Sequence, residues 1–96
     1  MKSKSILVIG LFILGATAQA DMGMATSCAN CHGQQGISAN DAWPNLAGQK
    51  KTYLANQLKA FRSGERKNAF MNPIATALTD DEIESLASFY AGLPRF

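Results

Sequence analysis

Residues 28–32 read Cys28-Ala29-Asn30-Cys31-His32, and this pentapeptide decides how the rest of the chain is understood. Two thiols three positions apart, on a bent helical turn, can reach the two vinyl groups along one edge of a porphyrin and form thioethers. The imidazole of the next residue then projects beneath the iron. C-x-x-C-H is therefore the attachment signature of a c-type haem, with His32 as its proximal ligand. Other readings fit less well. A thioredoxin-like dithiol sits in a βαβ setting, yet no segment alternates apolar and polar residues long enough to suggest a strand. Structural zinc takes four ligands, whereas Cys28, Cys31 and the single histidine supply three. A plain disulfide stays open only if haem is never attached, and it would close a tiny loop that restricts the unfolded chain little.

The sequence before the motif looks like an address. Lys2 and Lys4 form a basic start, and Ile6 to Ala16 is an uncharged apolar run of eleven residues, too short to span a bilayer comfortably. Ala18-Gln19-Ala20 supplies the small residues of a cleavage site, so residues 1–20 read as a signal peptide and 21–96 as one exported, periplasmic domain. Length and flanks disfavour the alternative of an uncleaved anchor, and position 21 is Asp, not a Cys that would take a lipid. Two of the nine Lys and Arg residues lie in the leader, which leaves seven bases against seven acids. A balance of zero argues against nucleic acid as a partner.

Twenty residues removed from 96 leave 76, and a domain of that size usually needs a staple. Haem, being large, planar and mostly apolar, supplies one. The folding pattern predicted around it is all-α, with three main helices. Thr79-Asp80-Asp81-Glu82 is a capping box, and Ile83, Leu86, Ala87 and Tyr90 follow it at i, i+3, i+4 and i+7 up to a stop at Gly92 and Pro94. A second helix is expected from about Lys50 to Ser63, with Leu54, Leu58 and Phe61 inward, Lys50, Lys51 and Lys59 near the solvated side, and Gly64 as the stop. A short helix leads into Cys28. The intervening stretches, Gly33 to Gly48 and Glu65 to Leu78, are read as turn-rich loops, long unless they wrap around something.

A His-ligated iron with an open face binds gases or peroxide, whereas closing that face with a thioether raises the potential and favours electron transfer. Met22 and Met24 precede Cys28 on the segment that feeds the attachment turn and are poorly placed to reach the opposite face. Met71 lies 39 residues after His32, in an irregular stretch before Pro73, and can be delivered from above. It could instead fill a core gap, as Met often does, but a loop position off any helix stripe favours ligation. Lys67 is the alternative donor nearby.

Taken together, C-A-N-C-H-G at 28–33, W-P-N-L-A-G-Q at 43–49, Y-L-A-N-Q-L at 53–58, F-R-S-G-E-R at 61–66 and M-N-P-I-A-T-A-L-T-D-D-E-I at 71–83 resemble class I cytochromes c. The similarity is to small soluble bacterial members and to a single lobe of their dihaem relatives. It covers essentially all of residues 21–96. It implies a small cytochrome c fold wrapped around one haem, with Cys28 and Cys31 as thioether residues, His32 and Met71 as iron ligands, and the Pro44 carbonyl accepting the other N–H of His32. Pro44 as a mere turn residue is the competing reading. Tyr53 and Arg66 are equally readable as haem-edge or as surface and core residues, and Trp43 as a packing residue or a haem contact. One departure stands out. The small residue eight positions before the first Cys, which in the family crosses the C-terminal helix, is here Ala20 in the leader, so a crossing contact at Tyr90 is in doubt, and Met24 is the nearest substitute.

The implied role is that of a non-enzymatic, monomeric, single-electron carrier between a redox donor and acceptor (an oxidase, reductase or dehydrogenase), with transient docking to membrane complexes. Alternatives are an obligate cytochrome subunit of a periplasmic dehydrogenase, a haem sensor or minor peroxidase with a labile Met71, and a thiol–disulfide protein.

Overall fold

The computed structural model describes residues 25–95. The signal peptide expected over 1–20, with Ala20, Met22 and Met24, lies outside the described residues. Four helical segments and no strand occur among the described residues: α1 over residues 25–32, α2 Lys51–Ser63, α3 Met71–Thr76 and α4 Asp80–Ala91. This is the all-α architecture that the sequence led us to expect.

The best-specified element is α4. Thr79 accepts from the Glu82 amide at 3.1 Å, and the Glu82 carboxylate accepts from the Thr79 amide at 2.8 Å. Both bonds satisfy donors that a helix start otherwise leaves unpaired. Asp80, Asp81 and Glu82 add negative charge at the positive end of the dipole. The stripe beyond the cap is buried as its spacing requires, with Ile83 completely so. Truncating Ile83 to Ala would cost about 2–5 kcal/mol through lost transfer energy and a cavity.

α2 lacks a side-chain cap and has no acid in its first turn. Burial holds it instead, because Leu54, Ala55 and Phe61 face inward and α2 packs on both α4 and α3. Lys51 and Lys59 reach Glu84 of α4 at 3.7 and 3.8 Å, but such exposed pairs contribute little. The Arg62 guanidinium does more, since it donates to the Leu78 carbonyl at 3.1 Å and to Asp80 at 2.6 Å. It thereby ties the end of α2 to the start of α4.

The core gathers Ala25, Leu54, Ala55, Leu78, Ile83, Leu86, Ala87 and Tyr90, with Cys28, Leu46 and Leu58 packed against it. Tyr90 is buried, and its hydroxyl donates to the Ala25 carbonyl at 3.3 Å. Ala25 therefore makes a contact with Tyr90 between α1 and the C-terminal helix, the crossing placed in doubt by the position of Ala20. A small residue three positions before Cys28 lets the Tyr90 ring approach the backbone of α1.

One expectation fails. The stretch from Glu65 to Leu78 is not wholly irregular, because Met71 opens the short helix α3. Pro73 falls in its first turn, where the missing N–H has no helical acceptor to lose.

Candidate haem site

α1 carries three of the chemistry-bearing side chains. Cys28, Cys31 and His32 lie on its last two turns, and the chain leaves the helix at Gly33, whose amide still bonds the Ala29 carbonyl at 3.0 Å. Gly33 and Gly36 both adopt positive φ, +88° and +75°, which L side chains reach only with strain. A Cβ on Gly33 would collide with the Ile37 carbonyl, and one on Gly36 would lie 2.9 Å from the Ala47 nitrogen.

The reversal at Gly36 has a purpose. Its carbonyl accepts from the amides of both Leu46 (2.8 Å) and Ala47 (3.0 Å), and the Asn45 side chain accepts from the Ser38 amide at 2.7 Å. These bonds pin both sides of Pro44. The Pro44 carbonyl then stands 2.7 Å from Nδ1 of His32, which is only 8% exposed. A carbonyl can only accept, so Nδ1 carries the proton. In the neutral ring, Nε2 is left with its lone pair available for a metal.

No disulfide joins the two cysteines. Cys28 is held in the core beside Tyr90. Burial pushes its thiol above the usual thiol range, opposed in part by a hydrogen bond with Tyr90. Burial likewise pushes the Tyr90 phenol up, with Cys28 adding to the effect.

A cavity of about 240 Å³ is lined by Cys28, Cys31, His32 and Met71 together, with Leu54, Leu58, Phe61 and Leu86 among its apolar walls. The structure therefore brings to one space the residues that the sequence singled out as thioether sites and ligands. Trp43, Tyr53, Phe70 and Ile74 are the large apolar residues left exposed among the described residues, at 37, 48, 66 and 37%. All four line this same cavity. Scattered exposed apolar residues need no explanation, but convergence on one concavity indicates a ligand surface. Two thiols at one wall, a ring nitrogen, a thioether and a surround of uncovered aromatic surface fit a covalently held porphyrin.

Of the residues left open by sequence, Trp43, Tyr53 and Arg66 all reach the cavity wall. The Arg66 guanidinium lies 4.6 Å above the Phe61 ring and donates to Gln57 at 2.6 Å. Lys67 does not line the cavity, and its ammonium donates to the Gly64 carbonyl at 3.3 Å. Two residues escaped the sequence reading, Asn68 and Asn72, whose side chains bracket Met71 with hydrogen bonds. An Asn three residues before Met71 was a cue to a helix start.

An all-α domain with this site is a c-type cytochrome. A sequence profile of the cytochrome c family matches residues 19–93, and the chain belongs to that family. It is 41% identical over 68 residues to cytochrome c-554(548) of Halomonas halodenitrificans, a match covering 68% of this chain and 82% of that one. It is 42% identical over 69 residues to a protein of Stutzerimonas stutzeri named thiosulfate dehydrogenase electron acceptor, covering 69% of this chain and 32% of that one. The crystal structure of reduced recombinant cytochrome c4 from Pseudomonas stutzeri superposes with a TM-score of 0.65 at 38% identity, covering 70% of this chain and 38% of that one. The chain thus spans most of a small relative and about a third of the larger ones. It is an electron carrier, with haem c attached covalently through Cys28 and Cys31. No helix among the described residues is long and apolar enough to cross a membrane.

Proposed function

We propose that this cytochrome is a periplasmic single-electron carrier, its iron held between Nε2 of His32 and the thioether sulfur of Met71, after export and removal of residues 1–20. The observation that carries this reading is the convergence of His32 and Met71 on the cavity whose wall holds both thioether cysteines. Bound haem supplies a one-electron couple. The protein's task is to keep its surroundings nearly unchanged between the two oxidation states. His32 is suited to that task, because the bond from Nδ1 to the Pro44 carbonyl fixes the tautomer and the ring plane. Leu54, Phe61 and Leu86 keep water from the inner wall, while Tyr53 and Phe70 leave the rim accessible to a partner.

Donor and acceptor are redox proteins of the oxidase, reductase or dehydrogenase kind. The relative from S. stutzeri named as an electron acceptor of thiosulfate dehydrogenase favours a dehydrogenase as the donor. It also supports a second reading, that of a cytochrome subunit bound to such an enzyme. Stoichiometric co-purification at high salt separates the subunit from the free carrier.

Spectroscopy of the exported protein tests the ligand set. Wild type is expected to show the near-infrared Met-to-iron(III) charge-transfer band and no carbon monoxide binding when reduced. Met71→Ala should fold, lose the band and bind carbon monoxide. A variant indistinguishable from wild type would remove Met71 from the iron. Mass spectrometry checks the leader, with the expected mass being that of a chain starting at Asp21 plus one haem.

A further inference from the structure

Met71 is the first residue of a six-residue helix, a poor platform for a group that must hold its place. The far end of this segment is anchored by burial of Ala75 and Leu78. The near end, which carries Met71, has the exposed Phe70 as its cap residue, without a side-chain cap bond. Two carboxamides do the anchoring there. Oδ1 of Asn68 accepts from the amides of Phe70 at 2.9 Å and Met71 at 3.0 Å. Oδ1 of Asn72 accepts from the Asn68 amide at 2.8 Å. Nδ2 of Asn72 then donates to two carbonyls at once, Phe61 at 2.8 Å and Arg66 at 2.9 Å. Phe61 belongs to the last turn of α2, and the Arg66 amide bonds Ala60 at 3.1 Å. The backbone of Met71 is in this way fastened to the C-terminal end of a helix that the core already holds.

We propose that Asn72, seconded by Asn68, is a positioning residue, whose carboxamide hooks the Met71 backbone onto the end of α2 and so sets how firmly the thioether holds the iron. This inference rests on the reading of Met71 as an iron ligand. Neither Asn belongs to the hydrophobic core cluster. Their bonds bear on the presentation of one side chain, and loss of a side-chain hydrogen bond to a fixed carbonyl weakens the placement it supports.

The test is competition by added imidazole for the ferric holoprotein, followed by loss of the charge-transfer band. Imidazole binds the Met-off form, so its apparent affinity scales with the population of that form. Asn72→Ala and Asn72→Asp both lose the two donations and should bind imidazole about tenfold more tightly than wild type. Asn68→Ala should tighten binding about threefold, while Asn68→Asp keeps both acceptor bonds and should stay within about twofold of wild type. Thr79→Ala, which weakens the α4 cap, controls for general destabilisation and should leave imidazole affinity unchanged. If Asn72→Ala yields no holoprotein, the contrast between Asn68→Ala and Asn68→Asp carries the test. Equal affinities across the Asn variants, in a protein whose band is lost in Met71→Ala, would overturn the inference while sparing the ligand. A wild type lacking the band, and matched by Met71→Ala, would sink both.

Discussion

The two loops that flank the haem cavity solve the same problem by different means. On the His32 side, the imidazole is buried, continuous with the helix that carries both cysteines, and faces a turn held chiefly by backbone bonds to the Gly36 carbonyl, with the Ser38 amide donating to the Asn45 side chain. On the Met71 side, the residue is half-buried on a short helix, and the bonds that hold it come from the side chains of Asn68 and Asn72. Backbone bonds within a turn are set by the fold of the turn itself. Carboxamide bonds depend on two particular residues, Asn68 accepting from the Phe70 and Met71 amides and Asn72 donating to the distant Phe61 and Arg66 carbonyls. The proximal half is thus fixed when the peptide folds, whereas the distal half is adjustable one side chain at a time. With Met71 as the proposed sixth ligand, the adjustable part of the carrier lies where its potential is set.

The largest expected effect tests whether either half is organised without the cofactor. Cys28→Ser with Cys31→Ser removes the attachment and leaves Trp43, Tyr53, Phe70 and Ile74 around an empty concavity. In a domain this small, about 60% burial is all that folding ordinarily achieves. The double variant is therefore expected to lose most of its helical circular dichroism at 25 °C. Amide exchange that still protected α2 and α4 would show that the two helices form a core of their own. Both loops would then be additions to it.

A smaller effect separates the halves. Gly36→Ala forces a side chain into positive φ and against the Ala47 backbone, at a cost of about 1–3 kcal/mol. For a domain of this size that lowers the unfolding temperature by roughly 5–20 °C. Because the strained turn carries Pro44, the damage should fall on the whole holoprotein and on the proximal side. The Met-to-iron band should persist at temperatures where the protein remains folded. A variant that lost the band while staying folded would show that the two loops are coupled, and the contrast drawn between them would fail.

How much of this was legible beforehand follows the same division. The capping box at Thr79 and Glu82 and the stripe through Tyr90 are local rules, and α4 forms where they place it. The stop of α2 at Gly64 was equally visible. C-x-x-C-H announced three site residues because the chemistry demands contiguity. Pro44 came only with the family resemblance, since nothing local marks which carbonyl meets a ring twelve residues away. α3 was missed because Pro73 reads as a breaker, although in a first turn it breaks nothing. Asn68 and Asn72 went unread for a different reason. Asn72 donates to backbone carbonyls at Phe61 and Arg66 and Asn68 accepts from the backbone amides of Phe70 and Met71, and a hydrogen bond to backbone leaves no complementary residue type in the sequence to notice.

The smallest effect concerns acid. The described part of the proximal turn contains no ion pair, but the distal segment ends at one, where Arg62 holds both the Leu78 carbonyl and the Asp80 carboxylate. Hydrogen bonding to Arg62, followed by its charge and a lesser contribution from Lys59, holds the Asp80 carboxyl below its ordinary 3.8. A carboxylate with a depressed folded value contributes fully above the unfolded value and loses that contribution as pH falls through the folded one. Acidification below 3.8 should accordingly loosen the Leu78 end of the distal segment before the proximal turn feels anything. Asp80 is fully exposed, so the effect is small and salt-sensitive. In denaturant titrations at low ionic strength, Asp80→Asn should lie slightly below wild type at neutral pH. The gap should close as pH falls below 3.8, because wild type then loses what the variant never had. Curves that stayed parallel to the lowest pH would mean that Arg62 is held by the Leu78 carbonyl alone, and the distal segment would have no acid-sensitive end.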